Sequence, residues 1–183
     1  MKVKVSQLKH HPLNERIYSL SGIESLMESI QQVGLLEPPT VNQFFEVVSG
    51  NRRFESIKRL GWKQIDVHQI NVKKGDEVLT LIHFNRQRIK TTQELLNEYF
   101  ELESYHRKKG VGKGVRIRGI VSDEIKVTDG QLARIIYIHK RNPEFIKLID
   151  QGILSINQAY LTLRREEEDK KSRESITEHK SIK

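Results

Sequence analysis

The stretch Phe45-Glu46-Val47-Val48-Ser49-Gly50-Asn51-Arg52-Arg53-Phe54-Glu55-Ser56 constrains the fold more than any other. Aromatic and β-branched residues from Phe45 to Val48 predict a short buried strand. Ser49-Gly50 is a turn signal. Asn51 can cap a helix, and Phe54, Ile57 and Leu60 then fall at helical spacing, with Gly61 where a terminator belongs. Two arginines, Arg52 and Arg53, sit in the first helical turn, where the helix dipole disfavours cations. They make sense if a phosphate sits in the turn, because glycine lets the backbone approach a ligand and the first N–H groups face outward. Guanidinium groups also match phosphate oxygens in pairs. The competing reading is a tight turn whose arginines are solvated or paired with Glu46 and Glu55.

The rest of the N-terminal half predicts a small α+β unit. Val3–Leu8 alternates like an edge strand, and His11–Arg16 reads as a loop because Pro12 stops regular structure. Ser21 and Glu24 form a capping box for a helix with Ile23, Leu26, Met27, Ile30 and Val33 on one face, closed by Gly34. Thr40-Val41 pairs with Phe45–Val48 as a hairpin turning near Asn42-Gln43, and Ile65–Ile70 alternates as a further strand. Gly75 to about Arg88 predicts a helix with Val78, Leu79 and Ile82 inward, ending in a basic cluster that suits the dipole there.

The C-terminal half is helical. Thr91 and Glu94 form a second capping box, and Leu95, Tyr99 and Leu102 mark a buried face. Residues 104–118 hold six Lys or Arg and no acid, interrupted by glycines at 110, 112 and 114. Such a run is flexible and attracts phosphate, so Lys108, Lys109, Lys113, Arg116 and Arg118 are candidate DNA-backbone contacts; a solvated linker is the alternative. A helix from Arg116 to about Ile125, a turn at Val127–Gly130 and a helix from Gln131 to His139 follow the helix-turn-helix order. In that motif the second helix places its N-terminal side chains at base edges. Thr128, Gln131 and Arg134 are the candidates; Gln can pair with adenine and Arg with guanine. Helices opening at Pro143 and Ser155 support the module, and the charged, apolar-poor chain from Glu166 predicts a frayed or disordered tail.

With no cysteine, thiolate nucleophiles, disulfides and cysteine-bound metals are excluded. The seven histidines show no metal-ligand spacing. Without a long apolar run at the N-terminus, neither a signal peptide nor a membrane span is expected, and the default is a cytoplasmic protein. A net charge of +8 favours a polyanionic partner.

The order of these pieces resembles the N-terminal domain of the ParB family of chromosome- and plasmid-partition proteins, over residues 3–100. The matching features are the opening strand, His11-Pro12 followed by Arg16, the capped helix ending Gly34-Leu35-Leu36-Glu37-Pro38, Gly50-Asn51-Arg52-Arg53, Leu60-Gly61-Trp62 and Asn85-Arg86-Gln87-Arg88. No single motif is specific; their order and spacing are. The resemblance implies CTP, with its phosphates on Gly50, Arg52 and Arg53, Asn51 in the same nucleotide-binding turn, Arg16 reaching in from its loop, Arg88 close by, and Asn85 near Mg²⁺. It also implies a helix-turn-helix, double-stranded DNA as partner and a homodimer. The family's usual C-terminal dimerisation domain is not expected within the residues from Glu166 to Lys183.

Two departures matter. The second position of the glycine–arginine motif is Asn51 rather than glutamate, and Phe84 stands where the family has a glutamate before Asn85. A phenylalanine cannot help hold Mg²⁺, so hydrolysis is expected to be weak at most. Sulfiredoxin shares the fold class, but its cysteine position is Asn51 here, which excludes its chemistry. The expectation is an α+β fold: a mixed-sheet ParB/sulfiredoxin-like nucleotide-binding domain (1–90), an all-helical helix-turn-helix DNA-binding domain (91–165) and a charged tail (166–183). The alternatives are a sequence-specific DNA-binding regulator with a vestigial nucleotide pocket, or a ParB-like CTPase or nuclease.

Overall fold

Apolar residues of the N-terminal half sort into two small sheets backed by helices. The structure, a computed structural model, describes residues 1–111 and 114–181. Two compact units form: Met1–Ile89 with Asn97–Val115, and Lys90–Leu96 with the chain from Arg116 onward.

In the first unit, β1 (Lys2–Lys4) pairs antiparallel with β5 (Gln64–Asp66). A second sheet joins β2 (Lys9–His10), β3 (Thr40–Val41), β4 (Glu46–Ser49) and β6 (His68–Gln69) in the order β2-β4-β3-β6. It is mixed: β2 runs parallel to β4, β4 antiparallel to β3, and β3 parallel to β6. The helices are α1 (Pro12–Ile17), α2 (Ile23–Val33), α3 (Asn51–Arg59), α4 (Glu77–Phe84) and, from Asn97 onward, α5 (Thr92–Lys108). Val41, Val47 and Ile57 are fully enclosed, with Phe54, Ile65 and Ile30 around them. This core fixes the end of β4 against the start of α3.

Several local expectations are corrected. Val3–Leu8 is not one strand: β1 gives way to a 3-10 turn at Val5–Gln7. His11–Arg16 is not a loop, since Pro12 occupies the first turn of α1, where its missing N–H costs nothing and the His11 ring caps Leu13 N. The Ser21–Glu24 box is replaced by Gly22 as N-cap of α2, and Val33 is exposed. Phe45 adopts φ 60°, so β4 starts one residue later, after an Asn42 side-chain turn that accepts from Phe44 N and Glu46 N. The Ile65–Ile70 strand is split between the two sheets, and the helix expected over 75–88 is the shorter α4. The Thr91–Glu94 box forms with both reciprocal bonds.

The second unit packs α6 (Ile117–Ile125), α7 (Asp129–Arg141), α8 (Glu144–Asp150) and α9 (Ile156–Ser181) around Val121, Leu132, Ile135, Ile138, Ile146 and Ala159. Thr128 caps α7 through its hydroxyl, which accepts from Gln131 N, so α7 begins two residues before the expected start. α9 continues through the segment expected to fray. Glu167 accepts from Tyr137 Oη at 2.7 Å and pairs with Arg141, which ties the helix to α7 past residue 165. Arg164 and Glu168 add an i,i+4 pair.

Glu46 and His11 give the first unit an acid-sensitive face. Burial pushes the Glu46 carboxyl up, but the Asn42 amide, Lys9 and His11 together outweigh it and hold it below the usual carboxylate range. Burial pushes the His11 imidazole down, against the opposing pull of Glu46 and Glu77. Both folded-state values lie below the unfolded ones. Each contribution is therefore complete above the unfolded pKa and lost as pH falls through the folded one. Urea midpoints should fall as pH drops from neutral, His11 acting first, below 6.5, and Glu46 below 4.5. Glu46→Gln should flatten the lower part of that profile; an unchanged slope there would remove Glu46 from the account.

Candidate functional site

Gly50 turns the chain at φ 84° between β4 and α3, and a Cβ there would lie 3.0 Å from the Arg53 guanidinium. Asn51 opens α3 buried. Its amide nitrogen donates to Val47 O at 3.1 Å, so its oxygen must accept from His10 Nδ1, 2.7 Å away. His10 also lies 3.3 Å from Glu55 and packs against Phe54, which braces the first turn of α3 on β2.

The two arginines of that turn go different ways. Arg52 donates to Gly22 O at 2.9 Å, where a Cβ on Gly22 would clash at 2.6 Å, and its buried Nε has no partner. Arg53 donates to Glu37, both to its carbonyl and, at 2.8 Å, to its carboxylate, which is 79% exposed. Solvent screens such a pair strongly, so a ligand anion can compete for Arg53.

These groups line a cleft of about 540 Å³, within the usual range for small-molecule sites. The end of α4 and the residues after it contribute Phe84, Asn85, Gln87 and Arg88. Asn85 donates its amide nitrogen to Leu81 O at 2.8 Å and Val48 O at 3.3 Å. Arg88 donates to Ser19 O at 2.9 Å and lies over the Tyr18 ring. From α1, Asn14 lines the same cleft, buried to 2% exposure, with its Nδ2 unpartnered.

Of the residues singled out in the sequence, Gly50, Asn51, Arg52, Arg53, Asn85 and Arg88 share this cleft. Arg16 does not: it lies on the helix α1 rather than a loop, is exposed, and pairs with Glu101. Asn14 escapes a reading in which Pro12 breaks regular structure; a proline followed by Leu13 and Ile17 at i,i+4 is the helix signal the sequence offers there.

A nucleotide fits the donor set. Asn14 and Arg52, each carrying a buried N–H donor without a partner, line one cleft with Arg53, Arg88 and the N-terminus of α3. Magnesium fits it poorly. Glu37 is the cleft's single carboxylate and is engaged by Arg53, Asn85 offers one neutral oxygen, and Phe84 offers none. Among the described residues no three His, Cys, Asp or Glu side chains gather to hold a metal ion.

The DNA candidates divide between the units. Lys108 is exposed in the last turn of α5, while Lys109 is fastened to Asp76 at 2.9 Å, beside the Tyr105 hydroxyl that donates to the same carboxylate. Lys113 lies outside the described residues. Arg116 and Arg118 both grip Asp129 at 2.7 Å. Thr128, Gln131 and Arg134 do come together, with Ser155 and Asn157, on a cleft at the starts of α7 and α9. Arg134 is exposed and 5.7 Å from the Tyr160 ring centroid. Among the described residues no helix is long and apolar enough to cross a membrane.

The family model of the ParB N-terminal domain matches residues 1–83. The chain is 25% identical over 183 residues to a probable chromosome-partitioning protein ParB of Chlamydia muridarum, covering 92% of this chain and 61% of that one. It is 26% identical over 112 residues to a nucleoid occlusion protein of Geobacillus, covering 57% and 40%. It thus spans less than two thirds of either relative's length. Among solved structures, a Pnob8-like ParB N-domain superposes with a TM-score of 0.66 at 12% identity, covering 87% of this chain and 77% of that one. The C-terminally truncated ParB of Caulobacter crescentus, complexed to the centromeric parS site, gives 0.56 at 16% identity, covering 90% and 99%. At these identities the structural likeness is one of fold. The mixed sheet and the glycine turn at the start of α3 agree with the match over residues 1–83: that stretch is similar to a ParB N-terminal domain in sequence and in fold.

Proposed function

We propose that this is a ParB-like DNA-partition protein that holds a nucleotide, CTP, in the cleft at the start of α3 and duplex DNA on its helical unit. The observation that carries the nucleotide is the pair of buried, unpartnered donors, Asn14 Nδ2 and Arg52 Nε, on a cleft that also holds Arg53 and Arg88. Leaving such donors unmade costs about 1–3 kcal/mol each, which an oxygen-rich ligand offsets. The choice of cytidine rests on the family. Calorimetry with CTP, ATP, GTP and UTP tests it: CTP should bind and the others weakly or not at all. Heat from none of the four would defeat the reading.

A ligand bridging the Gly50–Arg53 turn and the Asn85–Arg88 segment acts on the chain leading into α5. It biases homodimerisation or DNA engagement through its differential affinity for two states. With Phe84 beside Asn85, hydrolysis is at most weak. For DNA, the shared placement of Gln131 and Arg134 at the start of α7 supports base readout. The parS complex of the Caulobacter relative supports a centromere-like site. Arg134→Ala should weaken a preferred duplex by about 1–3 kcal/mol in anisotropy titrations and spare non-specific binding. Equal loss on all sequences would make Arg134 a backbone contact. The Arg53–Glu37 pair favours the second reading, a DNA-binding regulator with a vestigial pocket; duplex affinity identical with and without each nucleotide would select it.

A further inference from the structure

We infer that the cleft takes its nucleotide as the free polyphosphate anion rather than as a magnesium chelate, with protein cations in place of the metal. This rests on the nucleotide reading and specifies the state of the ligand. Mg²⁺ demands close octahedral oxygen coordination and is ordinarily held by one or two carboxylates together with substrate phosphates. The cleft supplies a single carboxylate, Glu37, and none beside Asn85. Position 84, directly before Asn85, carries a 44% exposed aromatic ring on the cleft wall. Glu37 lies 2.8 Å from the Arg53 guanidinium, so a metal on this one carboxylate would sit against a permanent cation with no second charged ligand to offset it. Asn85 has committed its nitrogen to two backbone carbonyls, which leaves one neutral oxygen.

The cationic side is complete by contrast. Arg52, Arg53 and Arg88 bring three permanent positive charges to the same cleft. A hydrated dication among them would be repelled, and the phosphate oxygens it bridges are those the guanidiniums can bind in pairs. Glu37 then has a definite role: it holds Arg53 until a phosphate displaces it.

The test is calorimetry with CTP in EDTA and in excess magnesium chloride, on the full chain and on Phe84→Glu. For the natural sequence, removing Mg²⁺ should change Kd by less than about fivefold. Phe84→Glu should acquire a metal requirement, binding weakly in EDTA and recovering in magnesium, because the new carboxylate repels bare phosphate and supplies the missing ligand. Circular dichroism checks that this exposed substitution leaves the fold intact. Binding confined to the magnesium buffer overturns this inference and leaves the nucleotide reading standing. So does a Phe84→Glu protein that is folded and equally indifferent to metal, because position 84 then does not set metal use. Silence in both buffers overturns the nucleotide reading and the inference with it.

Discussion

Gly50→Ala is expected to abolish nucleotide binding while the protein stays folded. At φ 84° an L-residue strains the backbone by about 1–2 kcal/mol, a loss a domain of this size survives. The contact is more damaging to function than to stability. The new Cβ meets three atoms of the Arg53 guanidinium at 3.0–3.2 Å, and a flexible side-chain end can swing away at little cost. In doing so it leaves the cleft, and the methyl group occupies the approach to the exposed N–H groups of α3. Loss of affinity for CTP should exceed about tenfold by calorimetry, with a modest fall in the urea midpoint. Unchanged affinity would move the ligand away from the turn.

Leu132→Ala should destabilise the second unit by about 2–5 kcal/mol. Leu132 is 0% exposed on α7, among Ile135, Ile138 and Ile146, so its removal leaves a cavity that the neighbouring helices cannot fill. Hydrogen exchange should quicken in α6, α7 and α8, and duplex binding should collapse with them. CTP affinity should persist, since every residue lining its cleft belongs to the first unit. Loss of both activities together would show that the nucleotide cleft depends on the helical unit for its folding.

The sequence exposed the parts governed by local chemistry. Gly50 was legible because a positive φ has few occupants, and Thr91 with Glu94 because a capping box is a reciprocal, short-range device. What it hid was decided across the chain. The Ser21–Glu24 box failed because the Arg52 guanidinium, thirty residues on, takes the Gly22 carbonyl and fixes the entry to α2 there. Arg16 was misplaced by its helix, which turns it to Glu101. Asn14 becomes visible as a candidate donor only when burial and an empty bonding position are seen together. Arg116 and Arg118 look like DNA cations in one dimension, yet both are spent on Asp129 at the start of α7. A phosphate must displace that carboxylate to reach them.

The inner position of β4 has a kinetic consequence. It is hydrogen-bonded to β2 on one side and β3 on the other, and it delivers the chain straight into Gly50. The Gly50–Arg53 side of the cleft is therefore assembled before any ligand arrives. Capture should be fast and little affected by viscosity or temperature beyond diffusion itself. Residence time should instead report how firmly the short stretch after α4 closes on its guest, so variants there should act on escape far more than on arrival.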